Sequence, residues 1–358
     1  MTVFKDELRR VGEEIGEFLR SDPFPEALRP ASLGEAVRDY PGRGGKRIRP
    51  ALVLWACELF GGSREQAIPA AAALEIYHNW TLVHDDIIDR DELRRGRPSE
   101  HVTLRDYAES ELKANADLAA AFGESFAILA GDVQQGWSVE ALASVADRGV
   151  SPALALTLVR AMQTKLNREL ISGEALDVEF ELRDPATVSE AAVMNMINGK
   201  TGAIMEFALH CGAAIAKGAY EPASPDFQAL SRYAANLAAA FQLQDDMLGV
   251  FGDEKVIGKP LCSDFQEAKP TMLYLEAVRG LPAERRPELD SLLRLPHYSD
   301  ADVAAIRAIL TETGAADAVR GSIVALSGLA KNALQPLPDN PWRGMLDTLV
   351  DQMLVRSV

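Results

Sequence analysis

Thr81-Leu82-Val83-His84-Asp85-Asp86-Ile87-Ile88-Asp89 closes a run of helical character from residue 64 to 89, rich in alanine and free of Lys and Arg between Arg64 and Arg90. As a helix it sets Asp85 and Asp89 one turn apart on a single face, with Asp86 turned about 100° from Asp85. Carried backwards, that face passes Thr81 and His78, so one stripe of a largely apolar helix is polar and acidic. Carboxylates at i and i+4 repel by roughly a few tenths of a kcal/mol. Hard oxygen donors at this spacing suit Mg²⁺ bridging to phosphate oxygens. Taken alone, an acidic pair at a helix end is equally a solvated surface.

The neighbours on both sides are basic. Downstream runs Arg90-Asp91-Glu92-Leu93-Arg94-Arg95-Gly96-Arg97-Pro98, a loop whose guanidinium forks match phosphate oxygens in bidentate fashion. Upstream, Pro41-Gly42-Arg43-Gly44-Gly45-Lys46-Arg47-Ile48-Arg49-Pro50 is a flexible basic turn leading into an apolar helix, 51–60. Its glycines let backbone approach a ligand, and Pro50 suits a first helical turn. Lys46 and Arg49, three residues apart, can converge on one anion; the plain alternative is a basic surface loop.

Further out, residues 4–20 carry an apolar face of Phe4, Leu8, Val11, Ile15, Phe18 and Leu19, and a proline-rich loop follows at Pro23, Pro25 and Pro30. Residues 112–147 and 153–182 have helical spacing, the second with Glu169, Glu174, Asp177 and Glu179 as a mixture of surface and lining. Gly199-Lys200-Thr201-Gly202 interrupts an apolar stretch from Val193 to Ile215. The alanine-rich run 227–248 repeats the first design, ending in Phe241-Gln242-Leu243-Gln244-Asp245-Asp246-Met247-Leu248-Gly249, and lysines follow at Lys259 and Lys269. Residues 272–358 read as amphipathic helices broken near Pro296 and between Pro336 and Pro341. With no strand-period segment, repeat or linker, the pattern predicts an all-α helical bundle, one domain over 1–358, around a central cavity.

Bulk properties narrow the function. An apolar fraction of 47% in 358 residues is ample for a large core. A net charge of −16 argues against nucleic acid and against adhesion to anionic lipid. Cys57, Cys211 and Cys262 are odd in number and far apart, forming neither a disulfide framework nor a zinc site, which fits a reducing cytoplasm. No run of about 18 uncharged apolar residues appears, nor a signal core, so no integral membrane segment is expected.

Two acidic helix ends, each followed by Lys or Arg, suggest a cavity holding a diphosphate through Mg²⁺ and basic clamps. From Gly44 to about Thr271 the sequence resembles the trans-isoprenyl diphosphate synthase (polyprenyl synthetase) family. Gly44-Gly45-Lys46-Arg47-Ile48-Arg49-Pro50 is similar to the family's GGKRxRP, and the resemblance implies that Lys46, Arg49 and His78 hold isopentenyl diphosphate. It likewise implies Arg94 for the allylic diphosphate, Arg95 for isopentenyl diphosphate, and Lys200-Thr201 near the allylic diphosphate. Asp85, Asp86 and Asp89 match the first aspartate-rich motif and Gln242, Asp245 and Asp246 the second, with Lys259 and Lys269 as its trailing lysines; the resemblance implies that Asp85, Asp86, Asp89, Asp245 and Asp246 bind Mg²⁺. About three Mg²⁺ ions, a homodimer, and catalytic roles for Asp85, Asp86, Asp89, Lys200 and Asp245 come with the resemblance.

The second motif departs from the usual DDxxD in having Gly249 at its last position. Trp80, five residues before Asp85, stands where the family faces the growing product tail. An aromatic ring there resembles synthases that stop at geranylgeranyl diphosphate (C20), with farnesyl diphosphate (C15) the alternative. Three other readings stay open: a di-iron bundle, because Glu75-Ile76-Tyr77-His78 is Glu-x-x-His; a class I terpene cyclase; and a non-catalytic partner subunit.

Overall fold

A computed structural model describes residues 2–253 and 261–354. The chain is all-α, as its periodicity predicts, and divides into two compact units. The first holds the residues up to Ala161 with Ala208–Glu221; the second holds Met162–Phe207 and the chain from Pro222 onward.

The first unit is built on α1 (Thr2–Ser21), α2 (Ala31–Gly42), α3 (Ile48–Leu59), α4 (Arg64–Ile88), α5 (Glu100–Ser110), α6 (Ala116–Ala143) and α7 (Pro152–Ala161). A helix apolar on all sides goes inside, and α4 does: every residue from Pro69 to Tyr77 is buried, with α3 and α6 packed on it. The predicted face of α1 buries Phe4, Val11, Ile15 and Leu19 as expected. Where α4 and α6 meet, a Cβ at Gly131 would lie 2.3 Å from His84 Nε2, so a larger residue there would displace the imidazole.

Three features differ from the sequence reading. The proline-rich stretch contains α2, which starts right after Pro30 and buries Ala36, Val37 and Tyr40. The segment after Pro98 forms α5, and α6 begins only at Ala116. Between α4 and α5, Leu93–Arg94 (β1) pairs antiparallel with Arg97–Pro98 (β2) around Arg95-Gly96, whose φ values are 55° and 72°. Two positive-φ residues make the tight turn that matches hairpin twist. The strands are two residues each, too short for any period to show.

The second unit carries α8 (Asn167–Leu182), α9 (Glu190–Ile197) and α11 (Pro225–Phe251), while α10 (Ala203–Lys217) has residues in both units. Leu243, Met247 and Val250 on α11 share a core with Ile306, Leu310 and Val319 from the helices at Asp300–Glu312 and Ala315–Leu334. The interruption read at Gly199–Gly202 is a π-helical turn, Asn198–Gly202, joining α9 to α10. Such turns widen a helix locally and recur at functional positions.

Candidate active site

The first acidic motif sits at the C-terminal end of α4, with Asp89 as the cap residue and no basic residue in the last turn. That is the negative end of the helix dipole, so the carboxylates need cations from elsewhere. The hairpin supplies one. Arg94 Nε donates to Asp86 Oδ1 at 2.6 Å, joined by its Nη2, which also reaches Asp91 at 3.2 Å and Asp85 at 3.4 Å. The other Asp86 oxygen accepts from the Tyr40 hydroxyl. Asp86 is fully buried and its two oxygens are engaged, whereas Asp85 and Asp89 are half-buried on their shared face. Burial pushes the Asp86 carboxyl up, against the pull of Arg94 and Tyr40. Burial also opposes the charge of Arg94, but Asp86, Asp85 and Asp91 outweigh it and raise its pKa.

The two basic loops meet. Arg95 Nη1 donates to the Gly44 carbonyl, and a Cβ at Gly45 would stand 3.1 Å from the same nitrogen. Lys46 lies exposed on this turn. Arg49 has its Nε buried without a hydrogen-bond partner. Burial, eased by Glu75 and reinforced by Arg95, pushes the Arg49 pKa down to about 10, which leaves it cationic at neutral pH. His78 is held well below its ordinary value by burial and by Arg49, Arg95, Arg94 and Arg47, so its imidazole is neutral here.

Arg47 is different: it is buried, donates to the Pro41 carbonyl at 2.7 Å and forms an ion pair with Glu75. Asn79 Nδ2 also donates to Glu75, at 3.2 Å. With Glu75 committed to Arg47, the Glu-x-x-His pair is not a di-iron half-site. Trp80, 8% exposed, packs edge-on against Tyr77 at 4.8 Å and near His84 at 6.0 Å.

In the second unit, Lys200 Nζ lies 2.8 Å from Asp177 and 2.9 Å from Glu174, both on α8. Lys269 contacts Glu267 at 2.8 Å and Asp177 at 3.6 Å. Asp177 is thus the hub between two lysines that the motifs single out, yet its own role is illegible among five acidic residues of one helix. Gln242 Nε2 donates to Asp246 Oδ1 at 3.0 Å. Burial first, then Asp264, Asp245 and Asp177 push the Asp246 carboxyl well up. Asp264 also bears on Gly249: a Cβ there would lie 3.8 Å from Asp264 Oδ2. Thr201 is buried beside Lys200; Lys259 lies outside the described residues.

The presentation of Lys200 depends on a close helix contact. A Cβ at Gly173 would fall 2.3 Å from the Lys200 backbone nitrogen and 2.7 Å from the Gly199 carbonyl carbon. Gly173→Ala must push the π turn away, at about 1–3 kcal/mol for an overpacked contact. The expected result is a lower melting temperature together with weaker pairing of Lys200 to Asp177 and Glu174, read as a raised KM for an anionic substrate. A variant matching the wild type in both would remove Gly173 from this role.

The polyprenyl synthetase family model matches residues 30–310. Geranylgeranyl diphosphate synthase of Methanosarcina mazei is 33% identical over 336 residues, covering 94% of this chain and 93% of that protein. Geranylfarnesyl diphosphate synthase of Aeropyrum pernix is 33% identical over 334 residues, covering 92% and 96%. Among solved structures, geranylgeranyl pyrophosphate synthase from Corynebacterium glutamicum, complexed with isoprenyl diphosphate and magnesium, aligns with a TM-score of 0.84 at 30% identity and covers 98% of each chain. The chain belongs to the polyprenyl synthetase family and is a trans-prenyltransferase.

Proposed function

We propose that this enzyme condenses isopentenyl diphosphate with an allylic diphosphate and stops at geranylgeranyl diphosphate, with the whole chain acting as one synthase domain. One observation carries the reading: the Gly44–Pro50 turn and the Arg94-Arg95 loop are hydrogen-bonded together beside a helix end bearing three aspartates. A built arrangement of forks and carboxylates suits a magnesium diphosphate better than a solvated surface.

The donor chemistry fits Mg²⁺. The candidate ligands are all carboxylate oxygens, and Asp246 is pushed up first by burial and then by the crowding of Asp264, Asp245 and Asp177, against the bond from Gln242. Among the described residues no three acidic or imidazole groups form a closed cage. Mg²⁺ bound with phosphates is commonly held by one or two carboxylates and completed by the substrate oxygens. We assign Asp85 and Asp89 in the first unit, and Asp245 and Asp246 with Asp264 in the second, as the residues that would hold about three ions. Asp86 differs from these in that it anchors Arg94. Mg²⁺, when bound, draws negative charge onto the allylic diphosphate.

The chain's own residues do the rest. Lys46, Arg49, His78 and Arg95 bind isopentenyl diphosphate, the neutral imidazole giving one N–H. Arg94, Lys200, Thr201, Gln242, Lys259 and Lys269 bind the allylic diphosphate. Arg94 is suited to this because Nε and Nη2 hold the carboxylates while Nη1 makes no hydrogen bond among the described residues. The C–O bond of the allylic substrate breaks and its electron pair leaves with pyrophosphate. The isopentenyl double bond then forms the new C–C bond, and the proton lost from the adjoining carbon goes to pyrophosphate. No side-chain nucleophile is required; positioning and electrostatics supply the rate.

Two further assignments belong to this reading. A homodimer is favoured by the outward apolar residues of α6, with Leu118 63% and Leu129 51% exposed. A cytoplasmic location is favoured by three free, buried cysteines. No described helix is long and apolar enough to cross a membrane.

Labelled isopentenyl diphosphate, Mg²⁺ and dimethylallyl, geranyl or farnesyl diphosphate, followed by product chromatography, tests the reaction. Geranylgeranyl diphosphate from all three primers is expected; absence of any prenyl product would overturn the assignment, and a farnesyl end point would shorten it. Subsites are separated by kinetics: Lys46→Ala and Arg49→Ala should raise KM for isopentenyl diphosphate, and Lys200→Ala that for the allylic substrate. Each lost charge-assisted contact is worth roughly 1.5–3 kcal/mol, or about ten- to a hundredfold. If both groups weakened the same substrate, the two-subsite picture would be wrong.

A further inference from the structure

Tyr40 lies on the last turns of α2, 1% exposed, and its hydroxyl joins three segments. It donates to Asp86 Oδ2 at the end of α4 and accepts from the Glu100 backbone N–H, 3.0 Å away, at the start of α5. A phenol oxygen serves as donor and acceptor at once, and here it is used as both. The ring is fixed from its face by Arg43, whose guanidinium carbon stands 4.4 Å from the ring centroid. Arg43 is fixed in turn by Asp39 Oδ2 at 3.0 Å and by the Pro98 carbonyl, at the end of the hairpin, at 2.8 Å.

Everything that sets Asp86 therefore comes from two directions. Arg94 bonds one carboxylate oxygen, and Tyr40 alone bonds the other. A buried carboxylate gripped at both oxygens cannot turn about its terminal torsion. Released at one, it can, and the guanidinium fork bonded to it follows. We propose that Tyr40 is a positioning residue of the prenyl transfer reaction, its hydroxyl setting the Asp86 carboxylate and, through it, the aim of Arg94 at the allylic diphosphate. This rests on the assignment of Arg94 to that substrate.

Tyr40→Phe tests it, because the ring, its packing and the Arg43 contact remain and only the O–H is lost. Affinity is read by calorimetry with Mg²⁺ and a sulfur-linked, non-ionising analogue of an allylic diphosphate, so that turnover is not needed. Tyr40→Phe should weaken analogue binding and kcat/KM for the allylic substrate by about ten- to thirtyfold, the scale of one hydrogen bond to a charged group. KM for isopentenyl diphosphate should stay within about twofold, since Lys46, Arg49 and His78 hold it without Asp86. A double-mutant cycle gives the sharper reading. In an Arg94→Ala background the same Tyr40→Phe change should do little more, as expected of two residues acting in one chain of contacts. An equal loss in both backgrounds would overturn the proposal. So would a variant that melts lower and loses both substrates in proportion, since that marks a structural role alone. Absence of analogue binding by the wild-type chain would overturn the prenyltransferase reading and this inference with it. Wild-type binding left unaltered by Tyr40→Phe would overturn this inference only.

Discussion

Asp85→Ala is expected to lower kcat by about a thousandfold or more, the scale of removing a principal electrostatic element, roughly 4 kcal/mol of transition-state stabilisation. The fold should be retained. Asp85 sits in the last turn of α4 with Asp86 and Asp89 beside it and no basic residue in that turn. Its removal relieves like-charge repulsion at the negative end of a helix dipole, worth a few tenths of a kcal/mol, and takes nothing from the core. Thermal melting should therefore match or slightly exceed the wild type. Asp86→Ala is the instructive contrast. It deletes the fully buried partner of Arg94 and of the Tyr40 hydroxyl, leaving the guanidinium only its longer contacts to Asp91 and Asp85, so stability should fall, by up to about 3–5 kcal/mol. Turnover at saturating Mg²⁺, measured beside the melting temperature, separates the two aspartates. Near wild-type turnover in Asp85→Ala would sink its assignment to metal.

The same contrast shows what the sequence makes legible. α4 and α11 are readable because long alanine-rich runs must be buried helices, and carboxylates at the end of a buried helix stand out. Basic residues that follow such ends in an acidic chain are readable for the same reason. What escapes is local or relational. α2 hides between Pro30 and Pro41, and only Ala36, Val37 and Tyr40 keep a helical spacing in it. The β1–β2 hairpin has no period to detect, yet it is what turns Arg94 onto Asp86. Spacing sets Asp86 off the face shared by Asp85 and Asp89, but only burial and the bonds from Arg94 and Tyr40 show that Asp86 is the enclosed one. Asp177 is one acid among five along α8, and its meeting with Lys200 rests on the close Gly173–Gly199 contact, while Lys269 reaches it from the segment after α11; no motif encodes either. Lys46 and Arg47 are adjacent basic residues in one turn, but one is exposed and the other is buried against Glu75.

Trp80→Ala carries the largest expected change of product. Trp80 stands about 7.5 Å along α4 from Asp85, on the side away from the helix end. Its ring is nearly buried between Tyr77 and His84, and its indole Nε1 is buried without a hydrogen-bond partner. An indole in a purely structural setting usually finds a partner for that N–H, which favours a ring placed for its bulk. On the other side, Gly131 of α6 leaves only 3.2 Å from a would-be Cβ to the Trp80 ring, so α6 backs the indole closely. A ring so wedged blocks whatever lies beyond it. Its truncation opens a space of several carbon atoms, room for further five-carbon units if the product tail grows against it. The expected outcome is a shift of product from C20 to longer chains with turnover maintained. A core role alone predicts otherwise: a loss of roughly 3–5 kcal/mol in stability, as for other Trp-to-Ala changes, and an unchanged product length. Some destabilisation will accompany either case, so the melting temperature cannot decide alone. Chromatography of the products decides, with Trp80→Phe as the intermediate volume: lengths that rise from Trp through Phe to Ala support the stop, and lengths fixed across the series in proteins of falling stability refute it.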